Sequence, residues 1–346
     1  MWATDLPSGL EGELGFSDWL DKEIQPYSLR SIQAEHAKFS RTSKINNPCS
    51  SIDIQFSNIL PSQMKPHPLF SALLFSTALA AKPCAPIPII YDTDIGEDID
   101  DTWALCFLLN SPEVDVKLVT TNFVNAQAKL KIASKVLQGM GREDIPIAAG
   151  HSTAKWMSNY YEWAKDFDLS SYKGEIREDG VGEIINAIMA DKTGRLQLHA
   201  VGPMHNIAQA LEREPRIAEK VELVIMACRF ADESKESNVR CGIPEMQKVL
   251  AANWKAFRIA PSDVTKGLRL TGERYQKVYN SQSRAARTTI PAYKIFERNA
   301  KWANFNTAIE SSSLHDTVSS YMAWSTEFFG NAAHPGLLRR PGNYQD

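Results

Sequence analysis

From Ile87 onward the chain alternates short apolar runs with longer segments of helical periodicity, and this alternation limits the fold more than any other feature. The apolar runs are predicted strands at residues 87–91, 114–121, 145–149, 196–201 and 221–226. The segments of helical spacing are predicted helices at residues 102–109, 129–140, 181–190 and 207–212. Repeated strand and helix units of this length predict a parallel β-sheet covered by helices on both faces, an α/β fold.

Size and composition exclude several classes of protein. The 346 residues allow one large domain with extra segments, or two ordinary domains. The 38 Lys and Arg residues nearly balance 41 Asp and Glu residues, so no basic face for nucleic acid is expected. Five cysteines without paired ligand spacing favour neither a disulfide framework nor a zinc site. No segment is long enough for a stable membrane span.

Residues 64–81 have the layout of a secretory signal peptide. Lys65 stands near the start, an apolar stretch covers residues 69–79, and small residues follow. A short buried helix is the alternative interpretation. If Met64 is the true start, we expect a secreted protein or one of the secretory pathway, and otherwise a cytoplasmic one. Residues 1–63 are then an N-terminal extension of unknown role or a misassigned start.

The run IIYDTDIGEDIDD places six carboxylates within ten residues, directly after the first predicted strand. They are Asp92, Asp94, Glu97, Asp98, Asp100 and Asp101. So much like charge is destabilising unless a cation or solvent neutralises it, and a solvated acidic loop is the simpler alternative. The run ends a buried strand, however, and parallel sheets bind ligands at that edge. Oxygen ligands suit a hard ion, so we predict a calcium or magnesium site.

Other acidic motifs fit this run poorly. An EF-hand is excluded because Gly96 is the fifth residue counted from Asp92, and no Glu closes a twelve-residue loop. A dinucleotide site lacks its glycine spacing, and the carboxylates would repel a pyrophosphate. A haloacid dehalogenase-type phosphatase also begins with Asp-x-Asp, but it requires Thr or Val where Gly96 stands. This phosphatase stays the lower-ranked alternative.

The acidic run resembles the DTDPGxDD signature of the inosine-uridine-preferring nucleoside hydrolases, which are calcium-dependent ribonucleoside hydrolases. It is similar to the variant with two further residues before the final acidic pair. Four later segments resemble elements of that family in the same order: VTTNFVNAQAKLKIASKVL, HAVGPMHNIAQAL, IMACRFADESKESNVRCGIP and SSLHDTVSSYMAW. The resemblance covers residues 86 to about 330. It implies an open, doubly wound, mostly parallel sheet flanked by helices, with the site above its carboxyl edge.

The resemblance also implies roles for particular residues. The implied calcium ligands are Asp94, Asp101, the main-chain carbonyl of Val201, and Asp316. The implied contacts to the ribose hydroxyls are Asp100, Asn125, Glu236 and Asn238. Asp94 is the implied general base that activates a water molecule, and His315 is the residue expected to protonate the departing base. The implied reaction is hydrolysis of the N-glycosidic bond of a ribonucleoside.

The segment around Glu236 departs from the family pattern. Ala227 and Cys228 replace a glycine pair, Ser237 replaces an aromatic residue, and Gly242 stands where Asp is usual. These departures leave open a catalytically impaired relative that binds a nucleoside or a sugar. In either case the expected partner is a small-molecule ribonucleoside, and the resemblance implies a homo-oligomer, a dimer or a tetramer. We assign residues 86–335 to the catalytic domain and 336–346 to a C-terminal tail.

Overall fold

The computed structural model describes residues 85–231, 234–303 and 305–325. The predicted extension (1–63), signal segment (64–81) and C-terminal tail (336–346) lie outside these ranges. The predicted catalytic domain, residues 86–335, is described as far as residue 325. None of the helices in the described ranges combines the length and the apolar composition that crossing a bilayer requires.

Seven strands form one sheet in the described part of the chain. They are β1 (Ile87–Thr93), β2 (Val114–Thr121), β3 (Ile147–Ala149), β4 (Ile176–Arg177), β5 (Gln197–Ala200), β6 (Glu222–Met226) and β7 (Ala256–Ala260). Their order is β4-β3-β2-β1-β5-β6-β7, and every neighbouring pair is parallel. The predicted parallel α/β sheet is thus confirmed.

Helices cover both faces of this sheet. They are α1 (Asp100–Asn110), α2 (Ala126–Met140), α3 (Gly180–Ala190), α4 (His205–Arg213), α5 (Ile217–Lys220), α6 (Ser237–Arg240), α7 (Ile243–Ala251), α8 (Ser262–Thr265), α9 (Gly272–Tyr279), α10 (Arg284–Asn299) and α11 (His315–Tyr321). Helices α1, α2 and α10 pack in the core of one face, and α3, α4 and α7 pack in the core of the other. The sheet is therefore doubly wound.

The two cores explain why the strands are continuous apolar runs. In β1, Ile89 and Tyr91 are buried in one core, whereas Ile90 is buried in the other. All three side chains are fully buried. Burial of such a side chain contributes about 1.5–3 kcal/mol, so a central strand gains from an apolar residue at every position rather than at alternate ones.

The strand order places the carboxyl end of β1 at a topological switch point. β1 lies between β2 and β5, so the chain leaves β1 on one side and returns on the other. The Asn122 N–H donates to the Thr93 carbonyl and the Val201 N–H donates to the Asp92 carbonyl, both at 2.9 Å. The residues that follow β1, β2 and β5 therefore meet at the edge where open α/β sheets bind ligands.

Candidate metal centre and active site

The acidic turn, residues 94–99, joins β1 to α1 and is fitted closely to its surroundings. Gly96 lies in the left-handed region (φ 112°), and a Cβ there would come within 2.7 Å of Ser158 and 2.9 Å of Ile132. Its N–H donates to the Tyr160 hydroxyl at 3.0 Å. Only glycine satisfies both the dihedral angle and the close approach. The turn consequently delivers the next carboxylates to the start of α1 in a fixed orientation.

Three buried carboxylates form the acidic triad, defined as Asp100, Asp101 and Asp316. Their ligand oxygens lie within 4.8 Å of one another, and no side chain of the triad is more than 5% exposed. The first two begin α1, and Asp316 lies in the first turn of α11. Among the described residues, no other group of three or more potential ligand side chains comes together in this way.

The carboxylates of the triad carry more negative charge than their surroundings compensate, although the charge of Lys129 attracts Asp101. Burial, followed by repulsion from neighbouring carboxylates, raises the pKa of all three groups well above the usual value for Asp. Few donors compensate: the Thr93 hydroxyl donates to the Asp101 carboxylate, and the Asp316 main-chain N–H donates to that of Asp100. Buried carboxylates at this spacing fit a hard divalent cation, which would restore the charge balance.

Asp94 lies beside this triad. Burial, partly offset by attraction to Lys129, raises the pKa of Asp94 to about 7. A side chain at Gly202 would come within 2.9 Å of the Asp94 Cβ and Oδ1, so the Gly-Pro pair after β5 leaves space for this carboxylate. A carboxylate with a pKa near neutrality is suited to exchange a proton with water at physiological pH.

Asp92 differs from its neighbours because it is fully satisfied. It accepts hydrogen bonds from Thr120 (2.5 Å), Asn122 (2.6 Å) and Asn206 (2.7 Å). Burial raises its pKa to about 6, against the effect of these donors. The three donors come from β2, the residue after β2, and α4, so Asp92 ties together the elements that surround the switch point.

Asn238 and Glu236 lie at the ends of β5 and β6. The Asn238 amide donates to the carbonyls of Val201 (2.8 Å) and Met226 (2.9 Å). Glu236 accepts from the N–H groups of Asn238 (2.8 Å) and Val239 (3.2 Å), which caps α6. Both side chains are buried. Asn238, one of the residues predicted to hold ribose, is thus bonded to the backbone carbonyl that was predicted to ligate the ion, and Glu236 holds the main chain of Asn238.

Strained backbone accompanies the site. Phe123 (φ 61°) and Val124 (φ 48°) follow β2, and Cys228 (φ 74°) follows β6. Non-glycine residues, β-branched ones above all, rarely adopt these angles, and each costs about 1–3 kcal/mol. Cys228 stands where the family pattern has a glycine, the residue that adopts positive φ without strain.

Asn125 and His315 are already engaged. Asn125 caps α2, because its Oδ1 accepts from the Ala128 N–H at 3.0 Å and its Nδ2 donates to the Lys155 carbonyl at 3.2 Å. The His315 Nδ1 pairs with the Thr265 hydroxyl at 2.7 Å. Burial, then the charges of Arg269 and Lys266, lower the pKa of His315 to about 4. His315 is therefore neutral at physiological pH.

Two residues of this centre were not singled out from the sequence. Asn206 follows the Gly-Pro element, and its amide reaches Asp92; nothing in the sequence marks which carboxylate it binds. Lys129 is fully buried and donates to the Asp94 carbonyl at 2.6 Å. A signal for Lys129 existed, because it shares helical spacing with Ile132, Val136 and Met140, all on the buried face of α2.

Comparisons with known proteins agree with this geometry. Residues 89–337 match the family described as inosine-uridine preferring nucleoside hydrolase. The pyrimidine-specific ribonucleoside hydrolase RihA of Photobacterium profundum is 26% identical over 257 residues, which cover 69% of this chain and 80% of that protein. The probable uridine nucleosidase 2 of Arabidopsis thaliana is 28% identical over 215 residues, 57% of this chain and 66% of that protein.

Solved structures show the same fold. A plant nucleoside hydrolase, PpNRh1, has a TM-score of 0.59 and 22% identity, and the match covers 69% of this chain and 79% of that one. A purine-preferring ribonucleoside hydrolase from Gardnerella vaginalis has a TM-score of 0.58 and 19% identity, covering 69% of this chain and 80% of that one. At these identities the likeness concerns the architecture of the sheet and its helices.

Proposed function

Because the chain belongs to the inosine-uridine preferring nucleoside hydrolase family, we propose that it hydrolyses the N-glycosidic bond of ribonucleosides to a free base and ribose, with calcium as its ion. The observation that carries this proposal is the acidic triad at the switch point of the sheet, whose buried carboxylates are only partly compensated by positive charge. An all-oxygen ligand set of this kind suits calcium. The family match rules out the haloacid dehalogenase-type phosphatase.

The proposed ion ligands are Asp94, Asp101, Asp316 and the carbonyl of Val201. The Asn238 amide donates to that carbonyl, and a carbonyl oxygen has a second lone pair for an ion. A bound calcium ion would supply the Lewis acidity that orients a water molecule and lowers its pKa. Asp94 would accept the proton of that water, in keeping with its pKa of about 7.

Asp100, Glu236 and Asn238 are the proposed contacts to the ribose hydroxyls. The Asn238 Oδ1 is available as an acceptor, because its two hydrogen bonds to main-chain carbonyls use Nδ2. The dense negative charge around the sugar would favour a cationic, oxocarbenium-like transition state. Asn125 is a fourth proposed contact: its amide caps α2, and its two N–H donors and two acceptor lone pairs exceed the two hydrogen bonds that it makes there.

His315 would assist the departing base as a neutral hydrogen-bonding group. This role requires that the Thr265 hydroxyl donates to Nδ1 across their 2.7 Å contact, so that the proton of the neutral ring is on Nε2. With a pKa of about 4, the His315 ring is seldom protonated to imidazolium at neutral pH. His315 would therefore stabilise the leaving base by donating a hydrogen bond, and transfer of a full proton would require substrate to raise its pKa.

An assay of base release tests the proposal. The wild type, Asp94→Asn and an exposed control, Asp144→Asn, are supplied with calcium and with inosine, uridine and other purine and pyrimidine ribonucleosides. The wild type and the control are expected to release free base and ribose, whereas Asp94→Asn keeps its fold and does not turn over. Turnover by Asp94→Asn contradicts its role as base. Calorimetric binding by the wild type without base release would favour the binding relative.

We also propose export and self-association. The layout of residues 64–81 supports a start at Met64 and entry into the secretory pathway. N-terminal sequencing of protein secreted by cells that express the chain should show cleavage close to residue 81, and full retention inside the cell would contradict it. Family resemblance supports a dimer or tetramer, and light scattering that gives the mass of one chain would contradict it.

A further inference from the structure

Lys129 is a charged side chain with no exposed surface. It lies on α2, and it is among the largest fully buried side chains of the described residues. An ammonium group in such a place is costly unless its charge is paired and its N–H groups are bonded. The proposed reaction gives Lys129 no role, although its ammonium lies directly behind the acidic turn.

Lys129 contacts the acidic turn and Phe123, the second residue after β2. Its Nζ donates to the main-chain carbonyl of Asp94 at 2.6 Å and lies 3.2 Å from the Glu97 Oε1. It also lies 5.7 Å from the centre of the Phe123 ring. Its positive charge attracts the carboxylates of Asp94 and Asp101. The Lys129 ammonium thus bonds to the main chain of Asp94, a proposed ion ligand, and attracts the Asp101 carboxylate of the triad.

The geometry points to Lys129 as a resident counter-cation of the acidic turn. We propose that it holds Asp94 in place and neutralises part of the carboxylate charge whether or not the divalent ion is bound. This inference rests on the metal site of the proposed function. It makes Lys129 a positioning residue, since it acts through the main chain of Asp94 and touches no reacting atom.

Glu97 fits this inference. It belongs to the two-residue lengthening of the acidic signature and is the side chain that pairs with Lys129. Its main-chain carbonyl accepts from Asn159, and the neighbouring Gly96 is held by Tyr160. The lengthened turn is therefore fastened to α2 through Lys129 and to the segment at 158–160 through its backbone. Helix α2 thereby sets the position of the ion site.

The expected behaviour follows from charge balance. Without the ion, loss of the ammonium leaves the buried carboxylates with less compensation, so the free energy of unfolding should fall strongly. With the ion bound, its positive charge compensates the carboxylates, and removal of the Lys129 ammonium should lower the free energy of unfolding by less. By linkage, a variant without the ammonium should then bind calcium more tightly, on the order of tenfold.

The test compares Lys129→Met with Lys135→Met. Lys135 lies on the same helix, and its Nζ donates to the Trp163 carbonyl and covers the Trp163 ring, away from the triad. Thermal unfolding of each protein is followed in EGTA and in excess calcium. We expect the Tm loss of Lys129→Met to be larger in EGTA by on the order of 5 °C. Lys135→Met should lose the same Tm in both conditions.

A charge-compensating variant separates charge from packing. In Lys129→Met combined with Glu97→Gln, one negative charge is removed with the positive one, so part of the Tm lost in EGTA should return. A cavity left by Lys129 would not be repaired by this change. Equal Tm losses with and without calcium, or no recovery in the double variant, would overturn the inference. A Lys129→Met protein that fails to fold even in saturating calcium would also overturn the inference, because the acidic turn should tolerate the change when calcium is bound.

Failure of this inference is distinguishable from failure of the proposed function. If calcium does not raise the Tm of the wild type at all, the metal site itself is wrong and the inference falls with it. If calcium stabilises the wild type and Lys129→Met loses the same Tm in both conditions, only the counter-cation role is wrong. Both outcomes are read from Tm alone, so neither depends on whether the protein releases free base.

Discussion

Two regions of the carboxyl edge, the acidic turn after β1 and the segment from Met226 to Gly242 after β6, are built in opposite ways. The turn is held by hydrogen bonds from Gly96 to the Tyr160 hydroxyl and from Lys129 to the Asp94 carbonyl, and Gly96 packs too closely for any side chain. The later segment carries a strained Cys228, and Glu236 serves as a helix cap as well as a proposed sugar contact. In the proposed function the ion is held from the first region and α11, whereas Glu236 belongs to the second, and Asn238 joins the two through the Val201 carbonyl. We therefore expect substitutions of Glu236 to leave ion binding intact.

Asp316→Asn should have the largest effect, and only on the proposed ion site. Loss of a buried ligand removes calcium-induced stabilisation and lowers kcat/KM by more than about 100-fold, beyond what the loss of an outer partner of a ligand costs. The Tm in EGTA should not fall, because the change relieves repulsion within the triad. Tm and base release, measured beside Asp144→Asn, check this. A calcium response like that of the wild type would remove Asp316 from the ion site.

Glu236→Gln should act on the later segment alone. A hydrogen bond to a charged group contributes about 1.5–3 kcal/mol, so its loss lowers kcat/KM by about 10- to 150-fold. The amide oxygen keeps one of the two hydrogen bonds that cap α6 and the other is lost, so the Tm should fall somewhat, but the Tm shift caused by calcium should equal that of the wild type. Kinetics and unfolding in excess calcium measure both quantities. If Glu236→Gln also abolished the calcium response, the two regions would not be separable.

The pH dependence of stability should report on the buried carboxylates at the carboxyl end of β1. Burial raises the pKa of Asp92 to about 6, of Asp94 to about 7 and of Asp98 to about 6. Groups whose pKa is raised on folding stabilise the folded state below their unfolded pKa, and that contribution is lost as pH rises through the folded values. In EGTA, ionisation of these three carboxylates should therefore lower the free energy of unfolding progressively between about pH 4 and 7.

Calcium should cancel that loss, since it binds the ionised carboxylates. The calcium-induced rise in Tm should grow between about pH 5 and 7, and affinity should fall by about tenfold for each pH unit below 7 as one proton competes. Unfolding with and without calcium across this range measures the effect. A Tm shift independent of pH would mean that these carboxylates do not hold the ion.

Cys228→Gly should give the smallest effect, a gain in stability. Glycine adopts φ 74° without strain, so the variant should be more stable by about 1 kcal/mol, which is about 2–4 °C in Tm for a domain of this size. Cys241 ends α6 with φ −76°, so Cys241→Gly should give no such gain and serves as the control. A lower Tm for Cys228→Gly would show that packing of the thiol outweighs the backbone strain.

Much of the fold could be predicted from periodicity. β2 coincides with its predicted range, 114–121, and α2 ends as predicted before Gly141, which adopts φ 71°. β4 and β7 were not predicted. β4 has two residues, and β7 is only partly buried and carries Arg258, so neither shows the continuous apolar run of the central strands. Edge strands bury less surface, and their sequences carry a weaker signal.

The candidate site was only partly predictable. The sequence locates the acidic run, because a charge cluster after a buried strand is visible in one dimension. It does not show that Asp92 is satisfied by three donors whereas Asp100 has few, since those partners come from distant parts of the chain. Nor does it show that the Asn125 side chain is used to cap α2. Whether a polar residue is free for substrate depends on partners that only the folded chain brings near.

In the proposed function, Asp94, Asp101, Asp316 and the Val201 carbonyl hold a calcium ion that base release requires. Titration of EGTA-stripped protein with calcium, with base release from inosine and uridine as the readout, tests it most directly. We expect no release without the ion, recovery that saturates at a single ion per chain, and no recovery in Asp316→Asn. Release that persists in EGTA, or recovery in Asp316→Asn equal to that of the wild type, would contradict the claim.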